Sequence, residues 1–356
     1  MYRITARHRL AVAAVVVGTA LAATACNASA DKDKTPAAGG GGADPAKNIV
    51  LVTPEPIGVN DFLKLAATGA QNAAKKQGGA ATVLESKDTS AIQQNVEAAV
   101  RQKPSVVVAV GFEFSDVLAQ QAEANPKQQF LFVDSCTAKP YPNITCATFR
   151  EHEGTFLAGA EAGLLTKTAK VGAVVALDSP QIRRFSDPFG AGAKQTNPAS
   201  AFTQLFVGGQ KPFNDPARAG EQTASLKAKD VDQIMGAASA AGNLGVFNAA
   251  KAAGVQAFGV DVNQCSAAPG TVVDNVIKRT DIAVEKGIEQ IAAGKAGGVT
   301  SYGLKEGGIT LTGLETGVET SQCLIAQHPD VIKTVLGLRD QIVSGGITVA
   351  DPATAK

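Results

Sequence analysis

The 356-residue chain has no tryptophan, three tyrosines and three histidines. A flat platform for an aromatic ligand must therefore come mainly from its 14 phenylalanines. None of the five cysteines shows C-x-x-C spacing, and with so few histidines this argues against a structural zinc site and metal cofactors. There is no H-E-x-x-H, no G-x-S-x-G and no D-x-D-x-x-x-D-D run, so no hydrolase signature is present. The formal net charge is +1 with no basic stripe, which argues against nucleic acid as a partner. After the first strand-like run, NIVLV at 48–52, the chain reads IGVNDFLKLAATGA at 57–70 rather than a glycine-rich turn. That absence fits an unphosphorylated ligand.

What is present begins with an export signal. Arg3, Arg7 and Arg9 precede an apolar run from Leu10 to Ala25 that ends at Cys26. The run is too short to span a bilayer comfortably, which takes about 20 residues. ATAC at 23–26 resembles a bacterial lipobox, which implies that residues 1–25 are removed and Cys26 carries lipid. Residues 27–47, rich in glycine and mixed charge, cannot bury apolar surface and read as a flexible tether. The chain is expected on the outer face of the cytoplasmic membrane. In an exported chain the remaining Cys136, Cys146, Cys265 and Cys323 favour disulfides. A local pair of Cys136 with Cys146 leaves Cys265 to Cys323, although four cysteines allow three pairings.

The 331 residues after the signal suit two lobes rather than one core. Strands are expected at 48–52, 81–85, 105–110, 129–134, 144–149, 170–177, 232–237, 255–260 and 308–314, with alanine-rich amphipathic stretches between them. Nearly continuous apolar strands separated by helices imply an α/β class with parallel sheets covered on both faces. No internal sequence repeat is detectable.

In such proteins ligands bind beyond the carboxyl ends of the strands. Asn60, Asp61 and Phe62 occupy that place after the first strand, as two polar groups and a ring. Gly111 ends an apolar strand and lets a ligand approach the backbone, with Phe112 or Phe114 beside it. Asp134 ends QFLFVD, and Asp261 follows VQAFGV in the second half. Thr148 and Glu151 have capping-box spacing, which assigns the acid–histidine–acid run Glu151-His152-Glu153 a structural role. Gly159, Ala160 and Gly163 give a slim helical face for close packing.

Four segments taken in order resemble the basic membrane lipoprotein family, the nucleoside-binding lipoproteins of ABC transporters. They are VAVGFEFSDVLAQQAEANPKQQFLFVDS (108–135), TFREHEGTFLAGAEAGLLTKTAKVGAV (148–174), SPQIRRFSDPFGAGAKQTNP (179–198), and FGVDVNQC (258–265) with NVIKRTDIAV (275–284). The resemblance implies a type I periplasmic-binding-protein fold with the ligand enclosed in a cleft between two lobes. It places the first lobe at 48–165 plus about 275–312, and the second at 166–274 plus about 313–350. It implies that Asp261 and Lys278 grip a ribose, by charge-assisted bonds. PFNDPARAGE (212–221) is similar to the family's F-x-D-P-x-x-G, which makes Phe213 the ring facing Phe62 across a base, with Phe185 as a second candidate.

The chain departs from the family where the base edge is read. Pro54 stands near the family's first aspartate, and Leu63 stands where an asparagine follows the phenylalanine. The expected protein is a monomeric, cofactor-free receptor that hands a nucleoside to an ABC permease and its ATPase. The alternatives are a sensor of the same fold for another small solute, or a nucleoside hydrolase.

Overall fold

The computed structural model describes residues 47–58 and 60–354. The signal, Cys26 and nearly all of the tether lie outside the described residues. In chain order the strands are β1 (Ile49–Thr53), β2 (Ala81–Glu85), β3 (Val106–Val110), β4 (Phe130–Val133), β5 (Ile144–Phe149) and β6 (Lys170–Val175). They continue with β7 (Ala201–Phe206), β8 (Gln233–Ala237), β9 (Gln256–Asp261), β10 (Val272–Lys278), β11 (Val299–Tyr302) and β12 (Ile309–Leu311). The helices are α1 (Asp61–Gln77), α2 (Thr89–Arg101), α3 (Ser115–Ala124), α4 (Glu151–Leu165), α5 (Pro180–Arg183), α6 (Asp187–Thr196), α7 (Pro216–Lys227), α8 (Ser239–Ala253), α9 (Thr280–Ala292) and α10 (Pro329–Ser344).

Two six-stranded sheets result, in the orders β11-β5-β4-β3-β1-β2 and β12-β10-β9-β8-β6-β7. All pairings are parallel except β10 with β12. The central strands β1, β3, β4 and β8 are buried along their whole length, as runs such as IVLV and VVVAV require when helices cover both faces. The two orders are the same arrangement repeated, with β4 and β9 in equivalent places. That repeat is invisible in the sequence.

Three strands escape the apolar pattern for identifiable reasons. β7 is an edge strand with no buried residue, β11 is a four-residue edge strand, and β10 carries Asp274, Asn275 and Lys278 in a buried element. The expected strand at 308–314 shortens to β12, because Thr312–Leu314 coils into a 3-10 turn.

The chain crosses between the sheets three times, at Phe149–Glu151, Lys278–Thr280 and Tyr302–Ile309. These crossings move all three boundaries from the expected places, and β10 stays with the second sheet as far as Lys278. Helix α4 packs on α6, β10 and β12, so residues 151–165 belong with the second sheet. Helix α9 packs on α1, β4 and β5, while β12 joins the second sheet. The slim face of α4 is used as its glycines suggest. A Cβ on Gly159 would lie 2.1 Å from the Phe189 carbonyl oxygen, and one on Gly192 would lie 1.9 Å from that of Phe156. The backbones of α4 and α6 are therefore in contact, and alanine at either glycine forces them apart.

The disulfides are Cys136–Cys146 and Cys265–Cys323, spanning 10 and 58 residues. Thr148 does not cap α4; it lies within β5, and Arg150 occupies the cap position without a side-chain bond.

A second buried feature of α4 has a consequence for stability. Glu161 and Asp274 are both 0 % exposed and face one another. Asp274 accepts from the Asn275 and Gly313 amides at 2.6 and 2.9 Å. Burial pushes both carboxyls above their usual range, and the Asp274 carboxylate raises Glu161 further, so the pair keeps a proton that the unfolded chain releases near pH 4. A raised folded pKa means that stability falls as pH rises from about 4 towards neutrality. Glu161→Gln, which needs no shared proton, is expected to gain on the parent by about 2 kcal/mol between pH 4.5 and pH 8 in urea unfolding. A difference independent of pH would rule out the shared proton.

Candidate functional site

The carboxyl end of β10 delivers Lys278 to the crossing between the lobes, where it is only 6 % exposed. Its Nζ donates to Asp134 Oδ1 at 2.8 Å and lies 3.1 Å from Glu151 Oε1. Three rings surround the ammonium, with centroids 5.2 Å (Phe149), 5.4 Å (Phe62) and 5.6 Å (Phe185) away. A cation that close to ring faces is attracted by their quadrupoles. Burial works against the lysine's charge, but Asp134, Glu151 and Asp261 outweigh it and hold the ammonium above its ordinary range. Conversely, burial pushes Asp134 and Asp261 upward, and Lys278 partly offsets that rise.

Asp134 and Asp261 sit at the ends of β4 and β9, the equivalent strands of the two sheets. Each has φ +70°, a left-handed conformation that non-glycine residues rarely adopt. The two carboxylates thus approach Lys278 from opposite lobes. Asp134 bonds it directly, whereas Asp261 acts on it through charge.

A second layer fixes Glu151. Arg184, at the end of α5, lies 3.5 Å from Glu151 Oε2 and donates to the Phe149 carbonyl at 3.2 Å. Its other nitrogens meet Asp351 in two bonds of 2.7 Å. The chain end beyond α10 therefore returns to brace the crossing. Arginines also stand at the crossings themselves. Arg150 pairs with Glu153 at 2.6 Å and with Glu306, and Arg279 pairs with Asp281 at 2.7 Å.

Several expected residues are not brought to this centre. Asn60 caps α1, accepting from the Leu63 amide at 3.3 Å and donating to Glu55 at 2.9 Å. Asp61 pairs with Lys64 on the surface at 2.7 Å. Phe112 is 64 % exposed. Phe213 lies in the loop before α7, its carbonyl accepting from Ser239 at 2.5 Å. Gly111 has φ +108°, and a Cβ there would lie 2.5 Å from Glu113 Oε2. Phe62, Phe185, Asp134 and Lys278 do converge, with Asp261 in electrostatic reach.

Sequence reasoning missed Glu151, Arg184, Phe149 and Asp351. The capping-box spacing diverted Glu151 to a structural role, whereas the structure turns it to Lys278. Phe149 and Glu151 flank a crossing, and the end of β5 was the available signal. Nothing local in the sequence ties Asp351 to Arg184, 167 residues away. An open cleft of about 460 Å³ lies on the other side of the β10 end. It is bounded by Asp61, Lys64 and Leu65 of α1 and by Val262, Ile277 and Glu315. Strand alternation explains the division, since Ile277 and Arg279 face the cleft and Lys278 faces away.

Residues 46–351 match the family described as ABC transporter substrate-binding protein PnrA-like, named Bmp. The chain belongs to this family. A CD4+ T-cell-stimulating antigen of Listeria monocytogenes is 32 % identical over 289 residues, covering 75 % of this chain and 76 % of that protein. The ABC transporter nucleoside-binding protein BmpA of Lactococcus lactis is 29 % identical over 317 residues, covering 82 % and 86 %. Among solved structures, an ABC transporter solute-binding protein from Aeropyrum pernix K1 superposes with TM-score 0.70 at 26 % identity, covering 86 % of this chain and 94 % of that one. The Bmp assignment agrees with the repeated sheet order, three crossings and a charged centre between lobes: this is the two-lobed α/β fold of solute-binding proteins.

Lys278→Met tests the centre directly. It leaves Asp134 without its cation and Glu151 with Arg184 alone, and breaking such a buried pair costs about 3 kcal/mol. The loss should be largest near pH 8 and shrink towards pH 5, where the uncompensated Asp134 carboxylate takes up a proton. Urea unfolding at the two pH values measures it, and a loss under 1 kcal/mol at pH 8 would mean that Lys278 is not the hub.

Proposed function

We propose that this Bmp-family protein captures a nucleoside between its lobes for an ABC permease and ATPase. The observation that carries the reading is the centre itself. One lysine lies among three carboxylates and three phenylalanine rings, at the point where the chain passes between lobes. Carboxylates at Asp134 and Asp261 accept hydroxyl and ring N–H donors, and Lys278 donates to a sugar oxygen. The rings of Phe62 and Phe185 suit a flat heterocycle, and stacking is worth roughly 1–3 kcal/mol per base. The nucleoside-binding name of the Lactococcus relative supports the same class.

The ammonium occupies the space among the rings. Entry of a ligand therefore requires the lobes to part about the three crossings, and closure exchanges protein contacts for ligand contacts. With more carboxylates than cations around it, the centre disfavours a phosphorylated ligand. Capture is binding without conversion, so nucleosides should leave as they entered. At the N-terminus, Cys26 would carry lipid and the tether would let a monomeric body reach its permease. Among the described residues no helix is long and apolar enough to cross a membrane.

Calorimetry against adenosine, guanosine, inosine, uridine and cytidine should give micromolar or tighter binding for at least one, with no free base released. Silence towards all five, with clear binding of an amino acid or hexose, would overturn the nucleoside reading. Asp261→Ala should weaken riboside binding at least tenfold with the fold intact by circular dichroism; equal affinity would remove it from the site. For the anchor, the parent should partition into a Triton X-114 detergent phase and Cys26→Ser into the aqueous phase.

A further inference from the structure

We infer that the two disulfides are positioning devices for the cleft aspartates, clamping the strand-end turns that hold Asp134 and Asp261 in their left-handed conformation. The ligand half of this inference rests on the nucleoside reading; the backbone half does not.

A left-handed backbone at a residue with a side chain persists only when its surroundings over-determine it. In the first lobe, the Asp134 amide donates to the Ala147 carbonyl at 2.8 Å. Two residues beyond Asp134, Cys136 is bonded to Cys146, the neighbour of Ala147. The turn is thus fastened to β5 at adjacent positions, once by hydrogen bond and once covalently. In the second lobe, the Val262 amide donates to the Val260 carbonyl at 2.9 Å, a three-residue turn centred on Asp261. Four residues beyond Asp261, Cys265 is bonded to Cys323. Asn275 on β10 receives the Gln264 amide at 3.2 Å and donates to Cys265 Sγ at 3.1 Å. That second turn is therefore tied to β10 three residues before Lys278.

A disulfide that served only global stability could lie anywhere in either lobe. Both instead lie just past the cleft aspartate of their own lobe, at different spacings, in halves with no sequence repeat. Similar placement beside the two equivalent aspartates, anchored on β5 in one lobe and on Cys323 before a 3-10 turn in the other, points to a shared task. Loosening the first clamp lets Asp134 leave the left-handed region, and its bond to Lys278 goes with it.

The two bridges differ in access. Cys136 is half-buried, whereas Cys146, Cys265 and Cys323 are 3 % exposed or less. The test is Cys136→Ser/Cys146→Ser, compared with Ile92→Ala, which destabilises the same lobe from α2. Without ligand, hydrogen exchange at amides 134–137 should accelerate at least tenfold in the double variant and stay unchanged in Ile92→Ala. Titration with each of the five nucleosides should show at least tenfold weaker binding in the double variant alone. Unchanged exchange together with unchanged affinity overturns the inference. If the parent binds no nucleoside but exchange accelerates as expected, the clamp stands and the nucleoside reading falls. If the double variant does not fold, brief mild reduction of the folded parent opens the Cys136 bridge first, and the same two measurements decide.

Discussion

A single ammonium at the crossing between lobes organises this protein. Lys278 gains from each carboxylate near it and loses from burial; with Asp134, Glu151 and Asp261 in reach, attraction wins. Each partner comes from a different part of the chain: a turn after β4, the start of α4, and the end of β9. Their placement therefore depends on both sheets and on the crossings. Arg184 and Asp351 extend the alternation of charge outward, so Glu151 lies between two cations and Arg184 between two acids. The ligand chemistry proposed for the site rests on that balance.

Much of the scaffold was legible from the residues. Nine strand-like runs and the alanine-rich stretches between them led to two covered parallel sheets, because an apolar run bounded by helices has few other places to go. What escaped was polar and buried. β10 looked unlike a strand because Asp274, Asn275 and Lys278 interrupt it, yet each of those is satisfied by a partner far along the chain. β7 and β11 are edge strands, where burial imposes little pattern.

At the site the division is similar. Asp134 and Lys278 were visible, as a strand-end acid and as a residue matched to the family. Glu151 was visible but misassigned, since a local capping rule offered a sufficient explanation and the tertiary partner lay 127 positions away. The stretch at 60–62 shows local and tertiary demands side by side. Asn60 caps α1, and Asp61 pairs with Lys64 while lining the open cleft. Phe62, with no polar demand to meet, turned inward.

The three crossings also dictate the order in which the molecule can be completed. The first sheet lacks β11, and its face lacks α9, until residue 302 is available; the second lobe begins at residue 151. Neither lobe can finish before most of the chain exists, so the two mature nearly together rather than one after the other. For a polypeptide that must be threaded through a membrane before it folds, this topology postpones commitment. The short bridge from Cys136 can close early, and the long one to Cys323 only when the chain is almost entirely across.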